Sequence, residues 1–307
     1  MLSIESFRRF RFYAGALAGA AFAIGTALSF FYAKYAQDAN SARMQQTARD
    51  NVEKVTAELN DFIAQKTSQL QDISGQWTRL DADDYDAWRQ KAQKTLDPSS
   101  GLRAMEWADK SFHVRWAEPE KENQNVLGMS IIFDDAREKA LESAGQRRTP
   151  TLTPPLDLVQ GYKGMILYMP IYVFNQFNGF VIAIFDIKKL AETVVAKRFD
   201  ANYRVDAFID DDLFYTAYFN QKLQTETPPL TVDPAYNLTS ETQIHQRRWS
   251  FRASPTDEYF RRERYVKPML TFLSGLAAST VVALLCHVGV NLIKRSLQSR
   301  AAAEKKR

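Results

Sequence analysis

The chain has 307 residues, with 40 Lys plus Arg against 36 Asp plus Glu and a formal net charge of +4. So small an excess, much of it beside apolar segments, leaves no electrostatic footprint for nucleic acid. The single cysteine, Cys286, excludes an intramolecular disulfide, and the aromatic content of the long middle stretch is that of a folded globule rather than a disordered loop.

Residues 1–11 form a basic tail with Arg8, Arg9 and Arg11. The apolar stretch Phe12 to Tyr32, and its counterpart Met269 to Val290, each match the roughly 20 residues a helix needs to cross a bilayer, and neither holds Asp, Glu, Lys or Arg. A cleaved signal peptide is the competing reading of the first stretch. Its apolar core exceeds the usual ~7–15 residues and no clear A-x-A site follows, which favours a retained anchor. Transmembrane helices are therefore expected over residues 12–33 and 268–293. Basic residues Lys294, Arg295, Arg300, Lys305, Lys306 and Arg307 follow the second span, so both tails, 1–11 and 294–307, are expected in the cytoplasm of a cell with this protein in its inner membrane. Arg261, Arg262, Arg264 and Lys267 weaken the contrast from the opposite flank, but long domains translocate largely regardless of charge.

Residues 34–82 read as one long stalk helix. Val52, Val55, Leu59, Phe62, Leu70, Ile73 and Trp77 recur at steps of three and four, with Lys66 in one expected apolar slot. Such a stripe is buried either on the domain or against the same helix of a second copy; the polar section Gln37 to Arg49 suits a solvated stalk or a dimer seam, and a homodimer is expected.

The domain itself is expected over residues 83–267. Asp83 would cap a helix from Tyr85 to Thr95, which the breaker cluster Asp97-Pro98-Ser99-Ser100-Gly101 ends. A hairpin of Leu102 to Trp107 and Phe112 to Ala117 follows, then a helix Asp135 to Ala144 stopped by Gly145. Strands are expected over Thr151 to Val159 (broken by Pro154-Pro155), Met165 to Val173 and Gly179 to Phe185, then a helix Ile187 to Phe199. Four more strands, Tyr203 to Ile209, Leu213 to Tyr218, Ser240 to Gln246 and Arg248 to Ala253, complete the pattern. Short adjacent strand pairs with intervening helices predict an α+β fold: a PAS-like extracytoplasmic antiparallel sheet with a long N-terminal helix, flanked by two transmembrane helices.

Met105 to Ile187 carries Glu106-Trp107, Trp116 with Pro119, Asp135-Ala136-Arg137, Leu152-Thr153-Pro154-Pro155, Leu158-Val159-Gln160-Gly161, Gly164, Tyr168-Met169-Pro170-Ile171-Tyr172 and Gly179-Phe180. In order and spacing this series resembles the CHASE domain, the extracellular sensory module of membrane-bound histidine kinases and nucleotide cyclases. The resemblance implies a PAS-like sensor that binds a small extracellular ligand and passes a shift through the membrane. Cytokinin-sensing members are expected to have an acidic residue eight positions before Arg137; Met129 stands there, so cytokinin is not the expected ligand. Family members usually continue into an output enzyme, whereas Lys294 to Arg307 is too short to fold as one; the expectation is a separate membrane or cytoplasmic signalling partner, with a protein that only binds and anchors, or the input half of a longer receptor, as the alternatives.

Enzyme chemistry has little support. His113, His245 and His287 show no metal-ligand spacing, no G-x-S-x-G or Walker-type loop occurs, and Asp210-Asp211-Asp212 reads as a solvated turn rather than a Ca²⁺ site. No cofactor is expected. The candidate ligand-binding residues are Trp107, Arg115, Trp116, Met129, Arg137, Leu152, Thr153, Gln160, Gly161, Tyr168 and Tyr172. Flat aromatic faces with a few orienting polar groups suit a small-molecule pocket; taken singly, the aromatics could be core and Arg137 could pair with Asp134 or Glu138. Within the spans, Gly15 with Gly19 and Gly275 with Ser279 have the spacing of close helix contacts. The rival function is an assembly subunit that presents a protein-binding domain in a membrane complex.

Overall fold

A computed structural model describes residues 4–76, 85–218 and 233–304. The chain divides into two compact units, residues 1–44 with 257–307, and residues 45–256. Helix α1 (Ile4–Gly75) contributes to both.

In the first unit, α1 meets α6 (Lys267–Glu304), which follows the short helix α5 (Asp257–Arg261) and a π-helical turn, Arg262–Val266. A Cβ on Gly25 would lie 2.4 Å from Ser279 Oγ, and one on Gly275 would lie 2.2 Å from Ser29 Oγ, so two small-residue pairs interlock with the helices antiparallel. Both serine hydroxyls donate back to carbonyls of their own helix at 2.7 Å, so neither needs a partner across the seam. Phe30 and Phe272 close one side edge to face. Gly15 and Gly19 have nothing within 4 Å of a built Cβ, so the contact uses Gly25 and Ser29 in place of the expected Gly15 and Gly19. The section around Asn40 is also less free than a solvated stalk, since Asn40 Nδ2 donates to Glu263 O at 3.1 Å and Arg264 Nη1 to Ser41 Oγ at 3.3 Å.

The second unit holds two antiparallel sheets where a single one was expected. The larger has the order β2-β1-β6-β5-β3, with β4 also on β5; the strands are β1 (Leu102–Ala108), β2 (Val114–Glu118), β3 (Thr151–Leu152), β4 (Leu156–Asp157), β5 (Lys163–Val173) and β6 (Gln176–Asp186). The smaller has the order β8-β7-β10-β9, from β7 (Tyr203–Ile209), β8 (Asp212–Tyr218), β9 (Leu238–Ile244) and β10 (Arg247–Pro255). Helices α2 (Tyr85–Thr95), α3 (Asp135–Arg147) and α4 (Ile187–Val195) complete the unit.

Three hairpins turn on two left-handed residues each: Phe174-Asn175, Asp210-Asp211 and His245-Gln246. Paired positive φ values match the twist of the flanking strands and fix the registers Val173↔Gln176, Ile209↔Asp212 and Ile244↔Arg247. The acidic run is thus a turn, and Asp210 accepts from Arg247 Nη1 at 2.8 Å and from Arg248 N at 3.0 Å. Helix α3 runs past Gly145 to Arg147, because the left-handed cap residue is Arg148, with φ 53°. Helix α4 stops at Val195, short of the expected Phe199.

The apolar stripe of α1 is spent inside this unit: Val52, Val55, Leu59, Ile63, Leu70 and Ile73 are all buried, while Phe62 lies half-buried with its ring edge to face against Phe185. Lys66 occupies its slot by donating to Thr95 O at 2.8 Å, the last carbonyl of α2, where a cation also complements the helix dipole. Thr67 Oγ1 is bonded to His245 Nε2 at 2.9 Å in the β9–β10 turn. Trp77 and Asp83, assigned from sequence to the stripe and to an N-cap, lie outside the described residues.

Leu59→Ala should cost about 2–5 kcal/mol of stability in urea denaturation, since the residue is fully buried in the stripe. In a Cys286→Ser background, Gly25→Cys with Ser279→Cys should form an intrachain disulfide on mild oxidation, detected by mass spectrometry. Gly15→Cys with Ser279→Cys should not.

Candidate functional site

Strand alternation divides the expected site residues between two faces of the larger sheet. Trp107 is registered against Trp116 across β1 and β2, at 4.4 Å between centroids, and this pair continues into Trp88 and Tyr85 of α2. The aromatic stack therefore lies on the α2 side. Leu152, paired with Leu167, is a buried edge residue, and Thr153 Oγ1 accepts from Ile166 N at 3.0 Å, closing the edge of β5. Arg115 is exposed on the hairpin, where its Nε donates to Asp109 Oδ2 at 2.6 Å. Hydrogen bonds from Ser111, Arg115 and His113 outweigh the opposing effect of burial and hold the Asp109 carboxyl down at about 2. Gly161 supplies a left-handed turn residue, with φ 85°.

The opposite face carries Ala104, Glu106 and Ala108 of β1, Ile166 and Tyr168 of β5, and Phe180, Ile182 and Ile184 of β6. Helix α3 covers part of it with Ala140, Leu141 and Ala144. Gly179 permits this sheet to close on the β1–β2 turn: its φ is 120° and a Cβ would stand 2.1 Å from Ala108 O, so no other residue fits. Beyond the start of α3 a cavity of about 60 Å³ remains, reached past Phe133, Val159 and Ser130. Met129, Arg137, Gln160 and Tyr168 line it, four of the eleven residues expected from sequence. Trp107, Arg115, Trp116, Leu152, Thr153 and Gly161 lie elsewhere, and Tyr172 donates to Gly145 O at 2.7 Å in a separate open groove against α3.

Each polar wall residue has a traceable position. Asp134 caps α3 by accepting from Arg137 N at 2.8 Å, and its second oxygen pairs with Arg137 Nη1, so the guanidinium is fixed over the Phe133 ring, 5.4 Å from its centroid. Gln160 Nε2 donates to Asn123 Oδ1 at 3.1 Å. Tyr168 is 1% exposed, and burial pushes its phenol well above the ordinary range.

The residue absent from the expected set is Glu106. It is 5% exposed, lines the cavity, and burial pushes its carboxyl from 4.5 up to about 7, with the positive charge of Arg137 opposing. No hydrogen bond to that carboxyl is made among the described residues. The signal was present in the sequence: between Ala104 and Ala108 on one strand face, an acid replaces an apolar residue at an inward position.

A model of the CHASE domain family matches residues 32–214. The chain belongs to the CHASE domain family. The match includes the cavity and extends on both sides beyond Met105 to Ile187, where the sequence motifs lie. Solved structures similar to this CHASE protein include the sensory domain of the Campylobacter jejuni chemoreceptor Tlp3, 11% identical over 74% of this chain and 99% of that one, with a TM-score of 0.49. The ligand-binding domain of the Pseudomonas fluorescens chemoreceptor CtaA is 13% identical over 73% of this chain and 97% of that one, with a TM-score of 0.46. An extracellular ligand binding receptor from Desulfohalobium retbaense is 12% identical, with a TM-score of 0.47 over 66% of this chain; the CHASE protein spans 39% of that receptor's length. No curated protein matches the chain.

Glu106 predicts a pH dependence of folding. The unfolded chain ionises this carboxyl above 4.5 whereas the folded one keeps its proton to about 7, so the folded state binds more protons in that interval. Stability falls as pH rises through it, by on the order of 3 kcal/mol. In urea titrations, Glu106→Gln should flatten this part of the pH profile and leave the mutant relatively more stable than the parent above neutral pH.

Proposed function

We propose that this CHASE-domain protein is a membrane-anchored, non-catalytic sensor that admits a small ligand into the cavity beside Glu106 and passes the resulting bias to a separate partner. The observation that carries this reading is the cavity itself: hydrocarbon walls, a mouth to solvent, and a few convergent polar side chains, one of them a buried carboxyl with no hydrogen bond among the described residues. Binding biases a sensor only to the extent that the ligand prefers one conformation.

Anchoring is read from the two helices long and apolar enough to cross a bilayer, whose apolar side chains, such as Leu28, Phe31, Leu284 and Leu285, are exposed. With residues 12–33 and 268–293 as spans, basic flanks set residues 1–11 and 294–307 in the cytoplasm of a cell with an inner membrane, and the domain of residues 83–267, with its stalk of residues 34–82, outside it. The proposed homodimer has its seam elsewhere than on the α1 stripe, which the domain core already buries.

Thermal-shift screening of the full chain in nanodiscs against small metabolites tests the sensor. Ligands should raise Tm, and the shift should vanish in Val159→Trp, which places bulk at the cavity mouth, or in Arg137→Ala. Failure of every compound, or shifts untouched by both variants, would overturn the reading. For topology, a membrane-impermeant maleimide should label Lys110→Cys on intact cells and Ser296→Cys only after permeabilisation, both in a Cys286→Ser background.

A further inference from the structure

The chemistry of the cavity restricts what it can take, an inference that rests on the sensor reading above. Glu106 stands at the centre of β1, between Ala117 on β2 and Ile182 on β6, in a cavity lined mostly by hydrocarbon. Among the described residues the one cation lining it is Arg137, whose guanidinium is already engaged by Asp134. Asp134 holds the ion pair with that guanidinium, and the Glu106 carboxylate is left with no bonded countercharge among the described residues. A buried carboxylate is disfavoured unless a cation or hydrogen-bond donors satisfy it. A ligand anion would meet Glu106 as a like charge and would have to compete with Asp134 for Arg137. A metal ion would find one carboxylate amid aliphatic side chains, where hard cations need several oxygens.

We infer that the cavity is a receptor site for a compact aliphatic amine, bound as its ammonium ion, with N–H groups donating to Glu106 and the hydrocarbon body against Ile166, Ile182 and Ile184. A volume of about 60 Å³ limits the body to a few carbon atoms unless the mouth residues move. The exposed Phe133 ring and the half-exposed Val159 stand where a longer chain would emerge.

Binding and proton release are then linked. The titratable and charged groups around Glu106 are Arg137 on α3, with Asp134 behind it, Tyr168 on β5 and Tyr162 just before that strand; β6 presents Ile182 and Ile184. Burial pushes the ionisation of Glu106 up to about 7, near neutral pH. An ammonium ion binds the ionised carboxylate, so its affinity should fall about tenfold for each pH unit below about 7 and level off above it.

Isothermal titration of the full chain in nanodiscs with isobutylamine, isobutyric acid, isobutanol and valine tests the class. The expected result is saturable binding of isobutylamine, weakening about tenfold between about pH 7 and about pH 6, and reduced at least tenfold with loss of the pH dependence in Glu106→Gln. Glu106→Gln is nearly isosteric, and the parent's pH profile reads the same linkage without any variant. Binding of the acid, the alcohol or valine in preference to the amine would overturn the amine assignment and leave the sensor reading standing. Silence of all four probes would overturn the assignment too, and the metabolite screen then decides the sensor reading separately.

Discussion

The two-residue repeat of strand β1 is the constraint from which the rest of the domain follows. Both faces of β1 are buried, so successive side chains enter two different interiors: Met105 and Trp107 on one side, Ala104, Glu106 and Ala108 on the other. One interior is a packed aromatic layer around Trp88, Trp107 and Trp116. The other keeps the cavity. A single residue's step along the chain separates scaffold from site, and the β-bulge opposite Trp107 and Ala108 lets β2 place Trp116 in the first and Val114 in the second.

Helix α1 supplies the other half of the scaffold. Its stripe closes the domain core with apolar side chains, and the positions that break the stripe are bonded to the elements they meet: Lys66 to the end of α2, Thr67 to the β9–β10 turn. An unpaired ammonium at that depth would be costly, and the Thr95 carbonyl, orphaned at a helix end, is the acceptor that makes it tolerable. In the other unit the same helix meets α6 at two serine–glycine pairs, where an added methylene would push the helices apart, with Phe30 and Phe272 edge to face beside them. The close packing of small residues there, with the Ser29 and Ser279 hydroxyls each bonded within its own helix, is a contact that uses no charge.

Charge in the cavity is arranged with equal economy. Asp134 serves at once as the cap of α3 and as the partner of Arg137, so the start of the helix and the orientation of the guanidinium are fixed by one side chain. Glu106 is left without such a partner, and its neutral form is favoured by burial. The family relationship supports the sensor proposal, and the unmet bonding capacity of this carboxyl supports the ligand class proposed for the cavity.

Local patterns in the sequence determined the element order, the α1 stripe, the breaker at residues 97–101, the turn at Asp210-Asp211 and the family, because hydrophobic periodicity, turn residues and spaced motifs act over a few neighbours. Of the candidate site residues named from the sequence, Met129, Arg137, Gln160 and Tyr168 are the four that line the cavity. Only the tertiary structure decided that Trp107, Trp116 and Leu152 face away from the cavity, that Gly25 rather than Gly15 meets α6, that the strands form two sheets, and that Glu106 is the buried charge. Those outcomes depend on strand register and helix rotation, which are set by pairing partners distant in the chain, and a shift of one residue in either exchanges which side chain points inward.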